Sequence, residues 1–308
     1  MKLSKEEVEK ICEEYSLGNL KNFKMLKGGL DNFNYDIQTS KGKFILRILR
    51  EDKDKRQEFS LLAELNKGFT YSIPKPLETK KGVKKSHIKG KSFWVYKKLK
   101  GKAIQKRPNL KQMKELAKAL AIYHKTVQGF GKGKCKLLKY YKGIEKEFNK
   151  LNQVKVKTRE DEFAIESKYL FESIVKKFSK EDYSKNLLLN HSDFDTSNVL
   201  FEKEIITGII DFDYVEIGPR IRDVAISIKD SCAPKGKLNV EWLNLFLEEY
   251  ERVILLDKEE KKKILDFILL ENASFFIWAY GQMKKNKNKR LKYMKEVVKL
   301  TKSLGGMK

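Results

Sequence analysis

Hydrophobic positions along this chain of 308 residues follow two rhythms, and one gives way to the other near residue 100. Val8, Ile11, Cys12 and Tyr15 fall on one face of a short amphipathic helix over residues 5 to 16. The runs Asn34 to Gln38 and Lys43 to Arg50 alternate like strands around Thr39-Ser40-Lys41-Gly42, which predicts a hairpin. A helix follows from about Asp52 to Lys67, with Phe59, Leu62 and Leu65 on one face and Gly68 past its end. The two prolines of Ile73-Pro74-Lys75-Pro76-Leu77 exclude helix and predict an extended or edge segment. Ser92 to Lys97 reads as the last strand of this half. Beyond Gly101 the helical period dominates, over Leu110 to Val127, Leu137 to Leu151, Glu160 to Phe178, Glu241 to Leu255, Lys258 to Gln282 and Lys285 to Leu304. Three short strand-like runs interrupt it, Leu187 to Leu189, Val199 to Glu202 and Ile205 to Asp211. The pattern predicts an α+β protein of two lobes, a small sheet-rich lobe over residues 1–98 and a larger, mainly helical lobe over residues 99–308, joined at Leu99-Lys100-Gly101.

Composition narrows the classes. Hydrophobic residues make up 41% of the chain and aromatic residues 11%, too much for disorder over the whole length. No run of 18 apolar residues escapes a charge; the nearest, Ile268 to Gly281, carries Glu271 and Asn272, which argues against a membrane span. Met1 to Tyr15 has no apolar leader segment, so a cytoplasmic protein is expected. Cys12, Cys135 and Cys232 lie far apart without a CxxC pair and are expected to be buried free thiols. The formal net charge of +25 raises nucleic-acid binding, but only nine of the 67 basic residues are arginine, and the lysines are scattered along the chain. Neither a nucleic-acid nor a membrane partner is expected. A basic surface would still steer an anionic nucleotide.

The candidate chemistry lies between His191 and Asp223. His191-Ser192-Asp193-Phe194-Asp195-Thr196-Ser197-Asn198 holds His-x-Asp, four further residues and Asn, directly after the apolar run Leu187 to Leu189. This is the spacing of a kinase catalytic loop, in which the Asp accepts the proton of an attacking hydroxyl and the Asn binds magnesium. Thirteen residues on, Thr207 to Ile210 delivers Asp211-Phe212-Asp213 from the end of a strand. A carboxylate there, beside a second carboxylate and an amide, makes a hard-oxygen set suited to Mg2+ held together with nucleotide phosphates. Asp and Asn also punctuate ordinary loops, but here both motifs occur in order across a strand hairpin.

The first half adds three features. Gly28-Gly29 precedes the first strand of the hairpin, where backbone amides could approach phosphate oxygens. Arg47 sits among alternating apolar residues in Phe44 to Leu49, and a cation there could reach nucleotide phosphates. Glu58, on the following helix, could hold it by an ion pair; Glu64 is the rival, but Glu58 lies nearer the helix start and leaves Leu61, Leu62 and Leu65 to pack.

Taken in order, Gly28-Gly29, Leu46-Arg47-Ile48, Glu58, Ile73 to Pro76, Leu99 to Gly101, Leu116 to His124, His191 to Asn198 and Ile210 to Asp213 resemble the aminoglycoside phosphotransferase and choline kinase superfamily, across nearly the whole chain. Gly208 to Asp213, Gly218-Pro219, Asp223 to Ile226 and Lys229 to Cys232 look most like the type II homoserine kinases. The chain departs from such patterns in lacking a full GxGxxG, in carrying Arg47 for lysine and Asp213 for the DFG glycine, and in Asp193-Phe194-Asp195-Thr196, which borders the acceptor. The resemblance implies a two-lobed protein-kinase-like fold and a small-molecule kinase using ATP and Mg2+. It implies Asp193 as base, Asn198 and Asp211 as magnesium ligands, and Arg47 with Glu58 and the Gly28-Gly29 loop at the phosphates. It further implies backbone from Lys97 to Leu99 at the adenine, and His191 and Asp223 bracing the catalytic loop. His124 is implied to have a packing and anchoring role.

Homoserine is the leading acceptor on this reading; the alternatives are an aminoglycoside, choline or sugar kinase, or a nucleotide-binding pseudokinase. Aminoglycosides are polycations and need several carboxylates. Residues 257–308 hold six acids against fourteen Lys plus Arg, and four of the acids fall beside lysines where exposed pairing is expected. Asp195, Asp213 and Glu216 lie near the catalytic loop and could receive one ammonium group, as a small amino-alcohol needs.

Overall fold

Ser4 opens the chain's first helix with a reciprocal cap: its hydroxyl accepts from the Glu7 amide, and the Glu7 carboxylate accepts from the Ser4 amide. The computed structural model describes the chain apart from residues 27–31, 52–54, 105–106, 131–134, 136, 179, 181–182, 184, 282–286 and 306–308. Gly28 and Gly29 therefore lie outside the described residues. The chain divides into two compact units, Met1–Gly101 with Thr207–Ile210, and Lys102–Ile206 with Asp211–Lys308.

The first unit holds helices α1 (Lys5–Glu14) and α2 (Arg56–Leu65) and strands β1 (Leu20–Met25), β2 (Asn32–Thr39), β3 (Gly42–Leu49), β4 (Ser86–Ile88) and β5 (Lys91–Lys97). The strands form one sheet in the order β1-β2-β3-β5-β4, antiparallel throughout. The expected hairpin is β2–β3, with Thr39 opposite Gly42. Val8 and Ile11 of α1, with Tyr15 just past its end, pack with Tyr35, Ile37, Leu46, Ile48, Phe93 and Val95 of the sheet. Leu61, Leu62 and Leu65 of α2 are buried, while Phe59 is half-buried with its ring edge-on to Trp94 at 5.4 Å. Residues 72–77 are extended, and Ser72 exchanges backbone hydrogen bonds with Thr207 and Ile209.

The second unit carries strands β6 (Lys102–Ala103), β7 (Leu187–Asn190), β8 (Val199–Glu202), β9 (Ile205–Ile209, whose last residues cluster with the first unit) and β10 (Glu216–Pro219). Its helices are α3 (Leu110–Thr126), α4 (Leu137–Lys150), α5 (Arg159–Phe178), α6 (Ile221–Cys232), α7 (Val240–Glu251), α8 (Lys258–Gly281) and α9 (Lys287–Gly305). β7 and β10 pair antiparallel, Asn190 opposite Glu216. Helix α8 has the length and mean hydropathy, 1.3 over its apolar window, of a membrane span. It packs against α5, α6 and α9 and buries Phe267, Ile268, Leu270, Ala273 and Phe276, as a core helix does.

Three expectations need correction. Helix α6 is absent from the periodic reading because ten of its twelve residues are buried, Arg222, Asp223, Ser227 and Ser231 among them, so its polar positions do not mark a solvent face. Cys12 and Cys232 are buried, with burial pushing both thiols up to about 11, but Cys135 is only half-buried. Glu260 is not an exposed acid beside lysines: it is buried and takes Arg220 in a two-pronged pair, Nε to Oε1 and Nη2 to Oε2, each at 2.6 Å.

Candidate active site

The loop from His191 to Asn198 leaves strand β7 and returns as β8, and its path is imposed from outside by helix α6. Asp223, wholly buried in the first turn of α6, accepts from the His191 amide at 2.7 Å and from the Ser192 amide at 2.8 Å. Ser192 is in the left-handed region at φ 65°, and those two bonds hold it there. His124 of α3 adds a third bond to Asp223 through Nε2 at 3.2 Å, while its Nδ1 meets the Tyr250 hydroxyl of α7 at 2.7 Å. Burial alone would raise the Asp223 carboxyl; the His124 hydrogen bond and charge hold it below its usual range. Further along α6, Ser227 donates to the Phe194 carbonyl and Asp230 accepts from the Thr196 amide and hydroxyl at 3.1 and 2.8 Å. The buried His191 ring packs against Phe212 at 4.7 Å and Phe194 at 5.5 Å.

At the tip of this loop the carboxylates are in a different setting. Asn198 donates through Nδ2 to Asp193 Oδ2 at 2.7 Å and to the Asp193 carbonyl at 2.9 Å. Its amide oxygen is then the atom with the chemistry to face a cation. Asp211 turns out of β9 in the left-handed conformation, φ 68° and ψ 56°, and opens the short turn Phe212–Tyr214. Burial, the neighbouring Asp195 and Asp211 push the Asp193 carboxyl up to about 8, against the Asn198 hydrogen bond and the Lys229 charge. Burial and Asp230 push Asp195 up to about 6, although its Oδ1 accepts from the Ser197 amide and hydroxyl. Carboxylates close enough to disfavour each other's charge, beside an amide, are a hard-oxygen donor set that fits a divalent cation. Among the described residues no three His, Cys, Asp or Glu side chains converge as a self-sufficient metal site.

Glu216 points elsewhere than expected. It forms a very short pair with Arg222 Nη1, and Arg222 Nε also meets Glu271 of α8 at 2.8 Å. Burial raises the Glu216 carboxyl against the opposing pull of Arg222. The Arg222 guanidinium lies 4.6 Å from the Tyr140 ring centroid, and the Tyr140 hydroxyl bonds Ser274. Asp213, in the turn after Asp211, is half-buried.

In the first unit, Arg47 is buried in β3 opposite Asn34 and Trp94. Glu58 is buried and meets Lys55 Nζ at 2.6 Å; Glu64 is exposed and pairs with Lys67 at the surface. Lys97 is exposed at the end of β5 and Leu99 is half-buried. Sequence reasoning missed Lys55, which immediately precedes α2, and Arg222 and Asp230, whose signal was hidden with the helix that carries them.

Residues 22–256 match the phosphotransferase enzyme family. The chain is 27% identical over 264 residues to a homoserine kinase of Agrobacterium fabrum, covering 84% of this chain and 79% of that protein. It is 25% identical over 280 residues to one of Zymomonas mobilis, covering 88% and 84%. Among solved structures, a spectinomycin phosphotransferase in complex with ADP and spectinomycin superposes with a TM-score of 0.73 at 19% identity, covering 99% of both chains. A microcompartment-associated aminopropanol kinase gives 0.69 at 15% identity, covering 97% and 98%. With the match across most of its length, this chain belongs to the phosphotransferase enzyme family and is a small-molecule kinase of the kinase-like α+β fold.

Proposed function

We propose that the protein transfers the γ-phosphoryl group of ATP to the hydroxyl of homoserine. The observation that carries this reading is the setting of Asp193. A carboxyl at the tip of a loop pinned at both ends, raised toward neutrality by burial and like charge, is a general base poised near working pH. Asp193 takes the hydroxyl proton as the acceptor oxygen bonds to phosphorus and the bond to the ADP oxygen breaks. Asn198 orients Asp193 and, with Asp211, would hold Mg2+. When bound, that ion neutralises charge on the transferring phosphates. His191 and Asp223 keep the loop in place, and Asp195 and Asp213 border the acceptor. On the first unit, Arg47 takes the phosphates with Glu58 in support, Gly28-Gly29 covers them, and backbone from Lys97 to Leu99 meets adenine.

The homoserine kinases among the relatives favour that acceptor. The charges point the same way: Glu260 and Glu271 are committed to Arg220 and Arg222, which leaves few carboxylates for a polycation. ADP release is to be followed with homoserine, choline, a sugar and kanamycin, each with and without Mg2+. Magnesium-dependent turnover of homoserine, with kanamycin inert, is expected. Robust turnover of kanamycin with homoserine inert would overturn the assignment.

A further inference from the structure

Helix α6 presents two working faces. Asp223, Ser227 and Asp230, at helical spacing, grip the loop from His191 to Thr196. Arg222 and Lys229, seven residues apart, share the neighbouring face. The two cations differ in what surrounds them. Arg222 spends its donors on Glu216, Glu271 and Ser192. Lys229 is half-buried, lies 5.0 Å from the Phe275 ring centroid, and has no ion pair or hydrogen bond among the described residues. It immediately precedes Asp230, whose carboxylate bonds Thr196 of the loop, and its charge acts on both Asp193 and Asp195.

A partly desolvated ammonium with an aromatic ring on one side and no carboxylate in direct ion-pair contact, among the described residues, is a receptor for an anion. Asp230, the acid nearest in sequence, is turned away to Thr196. We propose that Lys229 receives the carboxylate of the acceptor, so that the acceptor class is a hydroxy-amino acid rather than an amino-alcohol. This rests on the kinase reading above and deepens it. With the hydroxyl at Asp193, the carboxylate lies on the Lys229 side of the base, where the Phe275 ring flanks the ammonium. An acceptor without a carboxylate leaves that ammonium uncompensated.

The test uses the full-length enzyme, its K229M and K229R variants, and two acceptors that differ by one group, homoserine and 3-aminopropan-1-ol. K229M is expected to raise KM for homoserine roughly 10- to 100-fold, the range of a hydrogen bond between charged groups. KM for ATP and KM for aminopropanol stay within about twofold, and K229R restores most of the homoserine KM. Equal losses on both acceptors, or a parallel rise in KM for ATP, overturn the assignment, because Lys229 then serves the phosphates or the loop. Wild-type turnover of homoserine that K229M leaves untouched overturns Lys229 alone. Calorimetric titration with homoserine in the presence of ADP separates the remaining cases. Binding that K229M abolishes supports Lys229 even without turnover, whereas absence of both binding and turnover overturns the homoserine reading and Lys229 together.

Discussion

Asp223, from helix α6, grips the root of the loop that carries Asp193 at its tip, and the protein treats the two charges in opposite ways. At the root, two backbone amides and His124 converge on Asp223 and keep it ionised in a site with no access to water. At the tip, Asp193 has one amide from Asn198 and the repulsion of Asp195 and Asp211. The root is an anchor whose charge stabilises the native state. The tip is a charge the fold tolerates at a cost, and such costs mark places kept for chemistry.

Removing the tip carboxylate gives the largest effect. Asp193→Asn should lower turnover by ~10²–10⁴-fold with nucleotide affinity close to intact, because a base acts on the acceptor and not on ATP. Retention of more than about a tenth of wild-type turnover would exclude Asp193 as the base. The same variant should be more stable than wild type at pH 8 and no more stable at pH 4. The raised carboxyl penalises the native state only as pH rises from the unfolded value of about 4 toward its folded one. A melting series against pH measures this.

Breaking the root acts in the other direction. Asp223→Ala leaves the His191 and Ser192 amides and His124 without their acceptor, and should lower stability by about 2–4 kcal/mol. Its folded pKa is depressed, so this contribution is present above about pH 4 and is lost as pH falls below it. Wild type and variant should therefore converge in stability in acid. An undiminished difference at pH 2.5 would contradict the anchor role.

The pH profile sharpens the contrast with the smallest change. Turnover should climb through neutral pH as Asp193 loses its proton, and Asp211→Asn, by removing a like charge, should shift the titration of Asp193 downward. Carbon NMR of the Asp193 carboxyl reads that shift without requiring activity. A shift upward would contradict the proximity of the two carboxylates.

How much of this was legible beforehand varies with the kind of signal. The long helices declared themselves, because Leu116, Leu120 and their like recur on one face. Strand β1 did not: only Leu20 and Phe23 are even half-buried, three residues apart, which is no strand rhythm. Helix α6 was silent for the opposite reason, being buried almost all round. The order His191, Asp193, Asn198, Asp211 along the chain was readable as a motif, but its surroundings were not. Arg222 capturing Glu216 joins α6 to β10, and the grip of Asp230 on Thr196 spans 34 residues, neither of which leaves a local trace.

Because α6 holds the loop with one face and carries Lys229, which bonds none of it, on another, the two faces are open to different rates of evolutionary change. A substitution at Asp223 or Asp230 disturbs the loop and is selected against whatever the acceptor. A substitution at Lys229 leaves every bond to the loop in place. Under the assignment made for Lys229, an ancestral enzyme could pass from one acceptor to another by single steps on that face, without an inactive intermediate. One helix would then be both the conserved and the drifting part of the same site.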